Sequence, residues 1–485
     1  MRGAKTREQL ASQIEGYINQ PKFAAAAWGV KVVSLATGLT LYENHADRLL
    51  SPASNTKLYT GALGLARFGG GHRIVTPLFA TSQPDAAGIL HGDLIVSGRG
   101  DWSWNSRRLG TDFWEIFAPF VETLASRGVR QITGEIIGDA TYFRGKPTGS
   151  SWTIDDLDEG EAAELSALAL DDNSMQVSVT PGSAAGQPCL VTALQPATGL
   201  EFSNQTMTVA SRGSERIEAF RPSGGKNVFI LGTLPAGGSK QILDIAVPEP
   251  ASWFAGALKM ALERKGITVG GEARGVTWPQ SPSWEARNLV KLGEVSSPPL
   301  REMVRDFMKP SQNLEADTLL WDVGESARGP TTPPWMSSEA VGLMALRGWL
   351  KTADIPMSEV QFDEGSGLSR NNLTTANATV ALLRFMARNP EAQDFLESLP
   401  IGGVDGSLRY RFEKNAGTRN VRAKTGTLRW ASALSGYVTS AAGERLAFSI
   451  MLNRFEPASG HNAREEVDAL VLMLADFAGG SHESK

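Results

Sequence analysis

The chain has one cysteine, Cys189, among 485 residues. A single thiol excludes an intramolecular disulfide framework and any zinc centre built from several thiolates. Histidine is scarce: His45, His72, His91, His461 and His482 are the whole set. None stands in a catalytic pattern, and neither Gly-x-Ser-x-Gly nor His-Glu-x-x-His occurs. A Ser-His-Asp hydrolase and a metal-dependent hydrolase therefore lack their signatures. His461, in Gly460-His461-Asn462, is the least implausible candidate, and its ordinary reading is a solvated loop residue. No long apolar run is present. The most apolar stretch, 23–42, is broken by Gly29, Lys31 and Gly38, so no transmembrane helix is expected. No charge of one sign prevails: 47 Lys and Arg against 52 Asp and Glu give a net charge of −5. Without a basic stripe, nucleic acid is not an expected partner. The basic start, Met1-Arg2-Gly3-Ala4-Lys5, has no apolar core behind it, so no secretory signal is expected in this chain.

What is present is an ordinary globular composition, 41% hydrophobic and 20% charged, of a length that suggests about three domains. Leu10, Ile14 and Ile18 recur at helical spacing over 7–19. Residues 28–34 and 40–43, split by Ala36-Thr37-Gly38, read as a hairpin. Ser51-Pro52-Ala53 opens a helix reaching Leu65. In the middle, 90–97, 131–138 and 267–276 read as strands and 112–127 and 250–265 as helices. They look like two halves of a small α/β domain, split by a segment of short apolar runs and Pro/Gly turns that reads as all-β. The last third reads as helices at 300–307, 313–323, 338–351 and 375–387, strands at 420–424, 432–439 and 445–453, and a terminal helix at 463–477.

Three short motifs carry chemistry. In Ser54-Asn55-Thr56-Lys57, positions i and i+3 share a helix face, which sets a hydroxyl beside an amine. A lysine whose ammonium is destabilised by burial or by a second cation can serve as the base for serine. The same spacing in Ser223-Gly224-Gly225-Lys226 is a turn. Ser311-Gln312-Asn313 offers a second hydroxyl and an amide for a substrate carbonyl; its ordinary reading is a helix N-cap. Ser369-Arg370-Asn371 repeats the pattern, but within a Gly-rich loop. Lys424-Thr425-Gly426-Thr427, at a strand end, supplies a cation, hydroxyls for a carboxylate and a glycine for close approach. In this order the three form the set of the penicillin-recognising serine enzymes. The interval from Lys57 to Ser311 is too long for a minimal two-subdomain β-lactamase and leaves room for inserted domains.

The chain resembles the class C low-molecular-mass penicillin-binding proteins, the D-alanyl-D-alanine carboxypeptidase/endopeptidase family, peptidase family S13. Besides the three motifs, the resemblance includes 134–143, 171–182, 399–408, Glu364-Gly365-Ser366-Gly367-Leu368-Ser369-Arg370 and the run Leu434-Ser435-Gly436-Tyr437-Val438. It implies an α/β (α+β) fold. A penicillin-binding-protein/β-lactamase-like transpeptidase domain (1–72 and 287–485) would carry an inserted α/β domain (73–171 and 248–286) with a nested β domain (172–247). It implies Ser54 as nucleophile, Lys57 as base, Ser311 as proton relay and Asn313 as holder of the substrate amide. Lys424 would lower the Lys57 pKa. The N–H groups of Ser54 and Thr427 would form an oxyanion hole. Thr425, Gly426 and Thr427 would bind a carboxylate, with Arg370 helping. Asp156 would meet a free amine of the substrate, with Leu428 as an apolar wall; the ordinary reading of Asp155, Asp156, Asp158 and Glu159 is a solvated acidic loop.

The implied partners are peptidoglycan stem peptides ending in D-Ala-D-Ala, or cross-linked stems, with β-lactams as covalent inhibitors. No metal and no cofactor is expected, and the implied place of work is extracytoplasmic, in the periplasm or cell envelope. Two departures stand beside the catalytic groups: Gln312, where Asp or Asn is usual, and Asp317, where Glu is common. A β-lactamase or esterase of the same fold, distinguished by deacylation, and a non-catalytic peptidoglycan-binding protein are the alternatives.

Overall fold

A computed structural model describes residues 3–110, 112–157, 160–196, 199–210, 215–222, 224–280, 288–412, 420–458 and 462–481. His461, His482, Asp158, Glu159, Ser223 and the expected domain boundary at 286/287 lie outside these residues. The class is mixed α/β. The chain divides into two compact units, one made of Met1–His72, Pro299–Arg328 and Glu339–Lys485, the other of Arg73–Pro298 and Gly329–Ser338.

The first unit is built on an antiparallel sheet. Its strands are β1 (Ala27–Ser34), β2 (Thr40–Asn44), β3 (Arg422–Leu428), β4 (Ala431–Thr439) and β5 (Arg445–Asn453), in the order β3-β4-β5-β1-β2. Both faces are covered, so β1 and β5 are buried along nearly their whole length rather than at alternate residues. On one face the helices α1 (Arg7–Ile18) and α8 (Ala463–Ala475) bury Leu10, Ile14 and Ile18 with Val467, Leu470 and Val471 against Trp28, Val32 and Phe448. Between them in sequence come α2 (Thr56–Phe68), α3 (Leu300–Met308), α4 (Asn313–Ala327), α5 (Ser338–Thr352), α6 (Ala376–Met386) and α7 (Ala392–Ser398). Helix α6 packs on β5 and β1, and α2 on α4. Ten successive residues of α2, Thr56 to Leu65, are buried, as in a helix enclosed on all sides.

In the second unit the strands Ala273–Val276, Ile136–Asp139, Leu94–Ser97, Val75–Ala80 and Val290–Ser296 form one sheet in that order. Two of the expected strands are broken. The strand expected over 267–276 is interrupted after Val269 by Gly270 and Gly271, and 131–138 after Ile132 by Thr133-Gly134. Val290–Ser296 pairs with Val75–Ala80 within the second unit, which runs to Pro298 before the first resumes. The segment expected as a nested β domain forms two three-stranded sheets. Its Met175, Val177, Val228 and Ile230 share one core with Phe117, Phe120 and Phe254 of the α/β part, so the two make a single compact body.

Candidate active site

Ser54 does not begin on the α-helix. A 3-10 turn, Ala53–Asn55, precedes α2, and Ala53 takes the left-handed φ of 47° that a non-glycine residue adopts under constraint. Asn55 Nδ2 donates to Ser435 Oγ at 2.8 Å and Ser51 N–H to Asn453 Oδ1 at 2.8 Å, which ties this turn to β4 and β5. The first turn of α2 then brings Lys57 back under Ser54. Lys57 is fully buried. Its Nζ donates to Ser54 Oγ at 3.0 Å, to Asn313 Oδ1 at 2.6 Å and to the Ser366 carbonyl at 2.7 Å. Three oxygen atoms thus converge on this amine.

Asn313 is the first residue of α4, and Ser311 lies in the connection from α3. Ser311 is not the N-cap of α4; Gln312 holds that place. Ser311 has a φ of 75°, and its N–H closes α3 by donating to the Phe307 carbonyl at 2.8 Å. That leaves its hydroxyl to accept from Lys424 Nζ at 2.8 Å. Lys424 is also fully buried and donates to the Thr425 carbonyl at 2.9 Å. Burial, and then repulsion from Lys57 and Arg411, hold its amine well below the lysine value of 10.5.

The strand expected to end at Lys424 runs on to Leu428, so the Lys-Thr-Gly motif lies within β3, at the sheet edge. On that outer edge the Ala423 N–H donates to the Pro400 carbonyl at 3.0 Å, and the Val421 carbonyl accepts from Gly402 N–H at 3.0 Å. Backbone groups alternate sides along a strand. The Thr425 and Thr427 groups therefore face the same outer edge, beyond the end of that short pairing. Gly426 lies so close to the Ser54 turn that a Cβ would stand 2.3 Å from the Pro52 carbonyl oxygen. Thr425 is nearly buried, with its hydroxyl 2.7 Å from Ser407 Oγ; Thr427 is exposed and Leu428 half-buried.

Arg370 is exposed at the end of the Gly-Ser-Gly-Leu-Ser-Arg loop, whose Gly367 backs onto the Ala53–Ser54 peptide. Asp156 belongs to the second unit. There its Oδ2 accepts from the Thr153 N–H at 2.8 Å and the Thr153 hydroxyl at 2.7 Å, closing its own turn. Sequence reasoning missed the Ser366 carbonyl on Lys57 and the Ser407 hydroxyl on Thr425, and it did not foresee that the Glu364 and Asp317 carboxyl groups are fully buried. Only the Gly-Ser-Gly-Leu-Ser-Arg pattern signalled the first.

Two hydroxyl–lysine pairs from three distant segments thus meet at one strand edge. The chain matches the D-Ala-D-Ala carboxypeptidase 3 (S13) family over residues 10–474. The chain belongs to the S13 peptidase family. Among its relatives, a D-alanyl-D-alanine carboxypeptidase of Actinomadura sp. (strain R39) is 33% identical over 98% of this chain and 86% of its own. The D-alanyl-D-alanine carboxypeptidase DacB of Haemophilus influenzae is 25% identical over 83% of this chain and 80% of its own. The crystal structure of penicillin binding protein 4 (dacB) from Haemophilus influenzae shares the fold. Its TM-score is 0.78 at 22% identity, covering 95% of this chain and 98% of that one.

Proposed function

We propose that this chain is a serine-type D-Ala-D-Ala carboxypeptidase that cuts peptidoglycan stem peptides through an acyl-enzyme on Ser54. One observation carries the reading. The Lys57 amine lies between the Ser54 hydroxyl and the Asn313 amide oxygen, while a second lysine, Lys424, holds the Ser311 hydroxyl. Burial and repulsion from Lys57 disfavour the charge on Lys424, so two ammonium groups are not favoured together, and we take the pair to carry one proton fewer with Lys57 as its neutral member when it acts.

Neutral Lys57 takes the Ser54 proton as the oxygen attacks the penultimate D-alanine carbonyl. The N–H groups of Ser54 and Thr427 receive the oxyanion, where each such donor is worth about 10²–10³ in rate. The leaving D-alanine amine takes a proton by way of Lys57 and Ser311, and water then hydrolyses the ester. Asn313 holds the substrate amide. Thr425, Gly426 and Thr427 hold the terminal carboxylate along the edge of β3, and Arg370 adds positive charge near that end. An endopeptidase cut differs only in its leaving group, the side-chain amine of a neighbouring stem. Asp156 is the partner for a free stem amine, and Leu428 an apolar wall. A β-lactam mimics the terminal dipeptide and acylates the same serine. Among the described residues no helix is long and apolar enough to cross a membrane. A peptidoglycan substrate places the work outside the cytoplasm.

The test is intact mass after incubation with a fluorescent penicillin, beside Ser54→Ala. A long-lived adduct on the wild type alone is expected. Rapid release of hydrolysed drug would point to a β-lactamase, and an unlabelled wild type, or equal labelling of the variant, would remove Ser54 as nucleophile.

A further inference from the structure

Behind the groups assigned above lie Glu364 and Asp317, both fully buried. Carboxyl groups occupy such places only when their charge is compensated or absent. The two are treated differently. Glu364 Oε2 accepts the Ser366 N–H at 2.9 Å and the Ser366 hydroxyl, while Oε1 accepts the Gly367 N–H at 2.7 Å and Asn372 Nδ2 at 2.6 Å. Four donors converging on one carboxyl group describe an acceptor-only carboxylate. Asp317, on α4, receives one donor, the Gly365 N–H at 2.7 Å on Oδ1. Its Oδ2 is buried and takes none.

The side chain beside Asp317 is Ser366. That hydroxyl has one proton, and it goes to Glu364. A protonated Asp317 needs no second donor, whereas an ionised one would have the Gly365 N–H on Oδ1 and a bare Oδ2 within the core. The charged groups acting on Asp317 are Glu364 and Glu339, both acidic, and burial together with Glu364 pushes its carboxyl well above the usual range.

The turn that Glu364 gathers is also the turn that touches the chemistry. The Ser366 carbonyl accepts from Lys57 Nζ at 2.7 Å. Gly367, at φ 88°, packs so tightly that a Cβ would stand 2.0 Å from the Ala53 carbonyl oxygen and 2.9 Å from the Ser54 nitrogen. The carboxylate thus holds the turn that meets both the base and the Ser54 peptide.

We propose that Glu364 and Asp317 form a carboxyl pair with a single negative charge, carried by Glu364 while Asp317 stays protonated, and that Glu364 is the positioning residue for Lys57 and the Ser54 turn. The inference rests on Lys57 acting as base for Ser54, as proposed above. Removing the charge of Glu364 has two effects. It loosens the Ser366 carbonyl, and it takes away an anion that favours the ammonium form of Lys57.

The first measurement is infrared spectroscopy of the full chain at neutral pH. A protonated-carboxyl carbonyl band is expected in the wild type and missing in Asp317→Asn; a wild type without a band that this substitution removes overturns the assignment. The second is the rate of labelling by a fluorescent penicillin against pH. Glu364→Gln is expected to label about 10-fold or more slowly, with the acid limb of the profile displaced to lower pH by about half a unit or more. Glu364→Asp keeps the charge but is too short for all four donors, so it is expected to lose rate with its acid limb in place. A purely structural role would lower the rates of both variants and move neither limb. Wild-type rates and limbs in either variant would overturn the positioning role, and the shorter variant keeps the question open to test should Glu364→Gln not fold. A wild type that takes no label at all refutes the proposed function itself; a labelled wild type matched by Glu364→Gln refutes only this inference.

Discussion

Gly367→Ala isolates how far the position of one turn governs acylation. Two terms add. A left-handed φ of 88° costs an L-residue about 1–2 kcal/mol. The new methyl would also stand 2.0 Å from the Ala53 carbonyl oxygen, where contacts below 3.0 Å are essentially never seen. Both sides of that contact are backbone, so no side chain can swing aside, and the two turns must separate by about 1 Å. A shift of that size at a reacting centre costs about 100-fold in rate, or about 2.7 kcal/mol of barrier. Gly443→Ala is the control. It has a φ of 78° in the turn between β4 and β5, with open space where its Cβ would go, so it meets the conformational term alone. The assay is the second-order rate of labelling by a fluorescent penicillin, with thermal unfolding in parallel. Gly443→Ala is expected to lose about 1 kcal/mol of stability and label like the wild type. Gly367→Ala is expected to label about 100-fold more slowly. If it labelled within about threefold of Gly443→Ala, the 365–367 turn would not position the nucleophile, and the reasoning would fail.

Lys424 links the site to pH. Its folded value lies well below 10.5, so the unfolded chain binds a proton that the folded chain has released. Stability therefore rises with pH between the lowered folded value and 10.5, and falls as pH drops through the folded value. Lys424→Met should flatten that rise in Tm, raise Tm at neutral pH and abolish acylation; an unaltered slope of Tm against pH would contradict it. Ser311→Ala strips Lys424 of its 2.8 Å partner, and its acylation rate should fall by about 100-fold with little change in Tm. A rate within a few-fold of the wild type would remove Ser311 from the relay. Trp253→Ala probes the second unit, where the ring is fully enclosed and its N–H donates to the Pro196 carbonyl at 2.9 Å. Calorimetry should show a loss of about 3–5 kcal/mol, and one below about 1 kcal/mol would mean that this core does not hold the unit together. Asp156→Asn should weaken turnover of stem peptides that carry a free side-chain amine more than of those whose amine is blocked, and equal effects on both would dissociate Asp156 from that amine.

The residues that meet at the site were legible because each motif is short and chemically unusual. Ser54 and Lys57 are neighbours within one turn, and local geometry suffices to pair them. Lys424 and Ser311 were named by motif, but their direct contact was not foreseen, and neither was the extension of the strand to Leu428. Thr425 to Leu428 form an ordinary β sequence only once β4 is there to pair with it. The sheet that the last strand of the second unit joins was not legible for a related reason. Val290–Ser296 carries no mark of which sheet it joins, and its partner, Val75–Ala80, lies far back in the chain.

By itself the sequence determined the class, the order of the motifs and the chemistry of the side chains, because periodicity and turn residues act over a few positions. The tertiary structure decided what surrounds those side chains. That Ser311 serves Lys424 and not a helix end, that a backbone carbonyl of Ser366 completes the shell of Lys57, and that Asp317 meets Glu364 away from water are matters of burial and long-range contact. A carboxyl group reads the same in a sequence whether it is solvated or enclosed. Its charge is set only when the fold has chosen its neighbours.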